Sequence, residues 1–383
     1  MYKVMISVGE ASGDLHGASV AAALKKNCPD IELIGMGGQA MRQAGVKIAY
    51  DIADLGVIGL VEVVRNLPRL FRLRNMLAAL MDREKPDVLV VIDYPGFNMR
   101  LAKVAKEKGI PVVSYISPSV WAWGRGRAKE VAATVEKVAA IFPFEADAYR
   151  QAGADVVFVG NPLVDIARPS MTKAAAYRFF KADPAKPVVL LMPGSRRQEL
   201  VNLLPVMLAA AEKIAEQRQD CQFFLPIAST ISREMLQNFV KEYQVPIVLT
   251  SSNNYDLMNI ADIGIAASGT VTLEAALLDL PTVIIYKVAA LTYFFGRFLV
   301  KIPHISLPNI VAGRKILPEL LQGAANPGNI AQETLEILCR QGTRQRVLRD
   351  LAEVKAKLGE AGAVDRVAKV ILDTAAKYAG GQT

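Results

Sequence analysis

Two loops in this 383-residue chain carry a carboxylate where acid–base chemistry would need one, and two others combine small residues with a cation where a phosphate would sit. In Val91-Ile92-Asp93-Tyr94-Pro95-Gly96-Phe97-Asn98 an apolar run ends at Asp93, and the Pro and Gly behind it delay the next helix. The apolar strand end limits hydration of the carboxylate while the open loop admits a hydroxyl, which suits a general base. An Asp that caps the following helix is the plainer alternative. In Gly9-Glu10-Ala11-Ser12-Gly13-Asp14 the glycines let backbone approach a ligand, Ser12 and Asp14 are placed to cap a helix, and Glu10 projects toward the same edge. A tight turn with an N-cap competes with that reading.

The other two loops are Met192-Pro193-Gly194-Ser195-Arg196-Arg197 and Ala267-Ser268-Gly269-Thr270-Val271-Thr272-Leu273-Glu274. Each puts Gly, Ser or Thr where a strand ends and a helix begins, so backbone N–H groups and a partial positive charge of roughly +0.5 face any ligand. Arg196 adds a fork of donors for the same anion. Glu274, one turn into its helix, can accept bonds from a ribose diol. Either loop alone reads as a cap; two at one sheet edge point to a diphosphate site.

The elements that must position these loops follow a βα rhythm, short apolar runs alternating with amphipathic ones up to about residue 290. Strands are expected at 3–7, 31–34, 88–92, 111–116, 138–141 and 156–159, with helices such as 15–26 and 101–107 between them, and again at 188–192, 222–225, 247–250, 263–266 and 282–285. Runs this apolar suit parallel sheets covered on both faces, whose ligands bind beyond the carboxyl ends of the strands. Residues 160–169, bracketed by Pro162 and Pro169 and without a clear period, read as a hinge. From Asn326 onward the chain reads as helical and charged. The expected organisation is α/β: two Rossmann-like, doubly wound parallel-sheet domains over 1–165 and 166–343, then a helical tail over 344–383 that packs back on an N-terminal domain, its own or a partner's. One large mixed sheet is the alternative.

Composition narrows the classes. Hydrophobic residues make up 52 % and charged residues 21 %, which excludes a disordered or fibrous chain. Mean hydropathy is +0.25, yet charges or breaks interrupt every stretch of about 18 residues, so no spanning helix explains it. The first residues reach Glu10 and Asp14 too soon for a secretory h-region, which predicts a cytosolic protein. Three cysteines without a Cys-x-x-Cys and two histidines argue against a disulfide framework and a zinc or His-rich centre. No Walker A, His-Glu-x-x-His or Gly-x-Ser-x-Gly occurs, and no Asp-x-Asp follows a strand, so no metal and no cofactor is expected. Gly35-Met36-Gly37-Gly38-Gln39-Ala40 matches a dinucleotide fingerprint, but after the second strand, and keeps a nicotinamide-dependent oxidoreductase as a rival.

The excess apolar surface concentrates in two stripes. Over 60–77, Leu60, Val64, Leu67 and Phe71 share a helical face while Arg65, Arg69 and Arg72 share another, with Leu70 beside them and Pro68 expected to kink or split the helix. The second stripe, 291–302, holds three phenylalanines and two cations. Both read as lipid-interface segments, with core or dimer contact as the alternative. The net charge of +8 is interleaved with aliphatics rather than exposed aromatics, so nucleic acid is not expected as a partner.

The loops above, with Ser117-Pro118-Ser119-Val120-Trp121-Ala122-Trp123, Phe142-Pro143-Phe144-Glu145, Val159-Gly160-Asn161-Pro162 and Leu307-Pro308-Asn309, follow in an order that closely resembles the bacterial lipid-A-disaccharide synthase family over essentially the full length. Gly96 stands where that family often has an acidic residue. The resemblance implies an inverting glycosyltransferase of the two-domain GT-B fold. It implies transfer of 2,3-diacylglucosamine from UDP to the 6-hydroxyl of 2,3-diacylglucosamine 1-phosphate, giving a β-1′,6 link, with Asp93 as base. By the same likeness Glu274, Asn309 and Gln322 match donor-pocket positions, Arg196 the one near the diphosphate, and Arg314 is a further candidate by position. Peripheral attachment to the cytoplasmic face of the inner membrane is implied, as is a homodimer with exchanged C-terminal portions. Other GT-B enzymes on UDP-sugars, a 2-epimerase or a peptidoglycan-type N-acetylglucosaminyl transferase, are the rivals within the fold, and a non-catalytic membrane-bound nucleotide-binding module is the rival outside catalysis.

Overall fold

The computed structural model describes residues 2–55, 60–118, 125–228, 230–287 and 303–379, with the side chains of 54, 60–67 and 125 left out. The chain forms two compact units, Met1–Pro162 with Glu360–Thr383, and Leu163–Gly359.

The first unit is built on a seven-stranded sheet of β1 (Lys3–Ser7), β2 (Glu32–Gly37), β3 (Lys47–Asp51), β4 (Val88–Ile92), β5 (Val112–Tyr115), β6 (Lys137–Ala140) and β7 (Val156–Phe158). The order is β3-β2-β1-β4-β5-β6-β7 and every pairing is parallel. Chain order reverses between β1 and β4, which makes their carboxyl ends the switch point where such sheets hold ligands. All five residues of β4 are buried, as its Val-Leu-Val-Val-Ile run requires of a strand covered on both faces.

The second unit repeats the scheme with β8 (Val188–Met192), β9 (Gln222–Pro226), β10 (Ile247–Thr250), β11 (Ile263–Ala267), β12 (Thr282–Tyr286) and β13 (Glu319–Leu321), ordered β10-β9-β8-β11-β12-β13 and again all parallel. Here the reversal lies between β8 and β11, the strands that carry the two phosphate-type loops.

Two expectations are corrected. The segment that returns to the first unit begins at Glu360, not 344, because the helix Gln341–Lys357 packs against Leu307–Ala312 and Pro327–Cys339 of the second unit. Among the described residues, the helix Ala363–Ala379 is the element of this segment that packs on its own chain's first unit. It buries Val367, Ala368, Ile371 and Ala375 against Val20, Leu24 and Val113, and Arg366 donates from Nε to the Val159 carbonyl at 2.7 Å. The helix Leu60–Glu84 also continues through Pro68, so Pro68 does not split it in two. Leu73, Leu77, Leu80 and Met81 of that helix enter the core.

Glu145, at the third position of the helix Pro143–Gln151, is 3 % exposed and accepts the Ile141 N–H at 3.0 Å, closing the first turn from within. Burial pushes its carboxyl up to about 7 from an ordinary 4.5, against the pull of the Ile141 and Phe142 amides. The folded chain therefore keeps a proton there that the unfolded chain has released. The stabilisation is full below 4.5 and is lost as pH rises through about 7. Glu145→Gln keeps a carbonyl acceptor and cannot ionise. Its thermal midpoint should fall less than the parent's between pH 5 and pH 8, and parallel curves would contradict the burial argument.

Candidate active site

Asp93 follows β4 directly and is half-buried. It and Tyr94 both take left-handed backbone, φ +50° and +49°. For non-glycine residues each such conformation costs about 1–2 kcal/mol, so the surroundings must hold it. Asn98 does so: it is 1 % exposed, and its Nδ2 donates to the Asp93 carbonyl at 2.8 Å, the Ser7 carbonyl at 3.1 Å and the Ile92 carbonyl at 3.2 Å. Its Oδ1 accepts the Ser7 hydroxyl at 2.7 Å. The Asp93 N–H meanwhile donates to the Tyr115 carbonyl at 3.4 Å. Asp93 thus caps nothing; it is a carboxylate presented at the end of a buried strand.

The loop after β1 is fitted to this turn. A Cβ on Gly9 would lie 2.1–2.7 Å from the Tyr94 ring, so only glycine lets the two loops touch. Burial, then the charges of Glu10 and Tyr50, push the Tyr94 hydroxyl up. His16 packs edge-on to Tyr115 at 6.4 Å; burial holds its imidazole below its usual range while the negative charge of Asp93 opposes this. His16, Tyr94 and Asn98 were not singled out from sequence. His16 is far from Asp93 along the chain and comes near it only once β1 and β4 pair, whereas Tyr94 and Asn98 sit in the same loop with nothing in the sequence to show which way they face.

Two of the acceptor-side residues are reassigned. Asp14 is 7 % exposed and its carboxylate accepts the N–H groups of Gly38 at 2.7 Å, Ala40 at 2.9 Å and Met41 at 3.1 Å. It ties the first helix to the loop after β2 and does not cap its own helix, whose N-cap is Glu10 without a side-chain bond. The same contact disposes of the dinucleotide fingerprint, since an anion already occupies the amides a pyrophosphate would need. Gly13 serves packing: a Cβ there would sit 3.2 Å from Val8 Cβ. Ser12 and Glu10 remain exposed at the edge.

In the second unit a cavity of about 760 Å³ opens at the carboxyl ends of β8 and β11. Gly194, Ser195, Arg196, Ser268, Gly269, Thr270 and Glu274 all line it. Gly194 has φ +105°, and Glu199 folds over it so closely that a Cβ would lie 2.4 Å from Glu199 Oε2. Arg196 pairs with Glu199 at 3.0 Å yet is 83 % exposed, a pair worth little that leaves the guanidinium able to turn to an anion. Glu274 is half-buried and accepts the Tyr255 hydroxyl at 3.4 Å. Burial raises its carboxyl above the ordinary range, and Tyr255 is pushed up to about 12 by burial and then by Glu274. Asp256, missed in the sequence, shapes the wall by accepting Ser170 N–H and Oγ–H at 2.8 and 2.7 Å and Met171 N–H at 2.7 Å.

Three expected donor-pocket residues lie outside the cavity. Asn309 is 0 % exposed with its side chain fully spent: Nδ2 donates to the Leu317 carbonyl and Glu319 Oε1 at 3.0 and 2.8 Å, and Oδ1 accepts Ile316 and Leu317 N–H at 2.9 Å each. It anchors a loop whose Ile305 carbonyl receives the Ser268 hydroxyl at 3.0 Å, so it shapes the cavity from behind. Arg314 is taken by Asp350 and Glu353 at 2.7 and 2.9 Å and faces a different hollow. Gln322 follows β13 in a left-handed conformation, φ +50°, and does not line the cavity.

On the helix Leu60–Glu84, Phe71 is 45 % exposed under the Arg74 guanidinium, and Arg72 is exposed. Leu70 packs against the core and Arg69 donates to the Tyr50 hydroxyl at 3.2 Å, so neither is free surface. The side chains of Arg65 and Leu67, the stripe 291–302 and the Trp121–Trp123 segment lie outside the described residues. No described helix is long and apolar enough to cross a membrane.

Comparison with known proteins bears on what this site is for. By fold the chain is similar to a UDP-GlcNAc 2-epimerase from Neisseria meningitidis bound to UDP-GlcNAc, with a TM-score of 0.68 at 14 % identity over 97 % of this chain and all of that one. It is similar also to MurG of Acinetobacter baumannii, TM-score 0.61 at 15 % identity over 97 % and 100 %. These likenesses establish the two-domain GT-B fold. In sequence it is 44 % identical to the lipid-A-disaccharide synthase of Syntrophus aciditrophicus over 96 % of this chain and 97 % of the relative. It is 42 % identical to that of Geobacter sulfurreducens over 98 % of each. With the family model for lipid-A-disaccharide synthetase matching residues 4–369 as well, the chain belongs to the lipid-A-disaccharide synthase family.

Proposed function

We propose that this glycosyltransferase joins UDP-2,3-diacylglucosamine to 2,3-diacylglucosamine 1-phosphate by inverting, metal-independent displacement, with Asp93 as general base. One observation carries the proposal: Asp93 is the carboxylate held at the switch point of the first sheet, half-buried, on backbone fixed from both sides. As the acceptor 6-hydroxyl attacks the anomeric carbon, Asp93 takes its proton, a role worth roughly 10²–10⁴ in rate. The glycosidic C–O bond to phosphate breaks on the opposite face and its electrons leave with UDP.

The charge that develops on the diphosphate is met by the amides at the starts of the helices Arg197–Gln217 and Thr270–Leu277, with Arg196 turning from Glu199 to join them. These donors are fixed before the reaction, so they favour the charge-separated transition state over the ground state. Glu274, which lines the same cavity, accepts a ribose hydroxyl in this reading. The acyl chains of both substrates give a reason for an apolar, cationic helix face at Phe71 and Arg72, and hence for attachment to the inner membrane's cytoplasmic face.

Asp93→Asn should bind UDP as the parent does, by calorimetry, while turnover with both acylated substrates falls at least ~100-fold. Near-normal turnover would remove Asp93 from the role. Phe71→Ser with Arg72→Ser should lower co-sedimentation with anionic vesicles about tenfold without moving the melting midpoint, given roughly 1 kcal/mol per cation at an anionic leaflet plus the lost ring. Unchanged sedimentation would return that face to a role in protein contact.

A further inference from the structure

We propose that Asn98, held by Ser7, is the positioning residue for Asp93; the inference rests on the reading of Asp93 as the base. Asn98 and Ser7 are both buried, at 1 % and 0 % exposure, and neither reaches a surface where a substrate could touch it. Their contacts act on Asp93 through its main chain. The peptide group before Asp93 is fixed by its N–H on the Tyr115 carbonyl, and the one after it by its carbonyl on Asn98 Nδ2 at 2.8 Å. With both flanking peptide planes set, the direction of the Cα–Cβ bond at Asp93 is set too, and with it the reach of the carboxylate.

Only an amide meets the demands of position 98. Ser7 Oγ donates to Oδ1 at 2.7 Å, which fixes which end of the amide faces which way, and the NH₂ end is then left to the three carbonyls of Ser7, Ile92 and Asp93. A carboxylate there would set negative charge against three carbonyl oxygens, and an alkyl group would leave three buried acceptors without that donor. Because the same amide holds the Ser7 carbonyl at the end of β1, it also fixes where the Gly9–Glu10 loop stands relative to Asp93. A displacement near 1 Å of a reacting group can cost about 10² in rate, so the network is a lever on kcat rather than on binding.

The test is steady-state and single-turnover kinetics on the full chain with both acylated substrates. Asn98→Ala should lower kcat about 10- to 100-fold, with KM for both substrates and the affinity for UDP within about threefold of the parent. Asp93→Asn with Asn98→Ala together should fall no further than about threefold below Asp93→Asn alone, because the amide acts through the carboxylate. Ser7→Ala leaves Asn98 in place, removes its orienting donor, and should lower kcat several-fold by the same pattern; it decides the matter if Asn98→Ala does not fold. A kcat within twofold of the parent in the folded variants, a loss confined to KM, or multiplicative losses in the double variant would overturn the positioning role. If Asp93→Asn itself turns over normally, the base assignment fails and this inference with it. If Asp93→Asn is inactive while Asn98→Ala is not, the positioning role alone fails.

Discussion

The chain must turn sharply at the carboxyl end of β4, through two successive left-handed residues that are not glycine, and one buried amide holds it there. Everything proposed for the first unit follows from that turn. Without it the backbone after Ile92 would run on into a helix and Asp93 would become a cap. With it, the carboxylate follows the strand end directly and the Tyr94 ring lies over Gly9. The conformational cost, about 1–2 kcal/mol for each residue, is offset by contacts from Asn98 and Ser7, groups that themselves stay away from solvent.

The second unit solves a different problem with the same architecture. A diphosphate needs many donors and little shape, and two loops at the β8–β11 reversal offer backbone amides, small side chains and one exposed guanidinium. Rigidity comes from behind. The buried Asn309 and the half-buried Glu319 gather the loop that receives the Ser268 hydroxyl, and Asp256 gathers Ser170 and Met171. The polar residues that read as ligand contacts are in part the ones that keep the contact surface in place.

That division explains what could be seen in the sequence. Buried parallel strands announce themselves, and Lys3–Ser7, Val88–Ile92, Val188–Met192 and Ile247–Thr250 run between the expected residues. β13 was not expected, because Glu319–Leu321 is three residues long behind Pro318 and too short to show a period. The loops at strand ends were legible as loops, since Gly, Ser and Asp cluster there for reasons of backbone geometry. Which side chain of a loop faces a ligand and which one faces the protein was not legible, as Asp14, Asn309 and Arg314 show. Each has the chemistry of a binding residue, and each is consumed by partners 7 to 39 positions away, brought close only by the fold. The likeness of these motifs to a known family marks out these loops without separating those two uses.

The central claim is that Asp93 removes a proton from a weakly acidic alcohol, and an acceptor that needs no such help tests it most directly. A 2,3-diacylglucosamine 1-phosphate with a 6-thiol in place of the 6-hydroxyl ionises substantially near pH 8.5, as thiols do. The ratio of single-turnover rates between the parent and Asp93→Asn should then shrink from at least ~100 with the alcohol to within a few-fold with the thiol. A ratio that stays large with the ionised thiol would mean that Asp93 serves binding or architecture, and not proton removal.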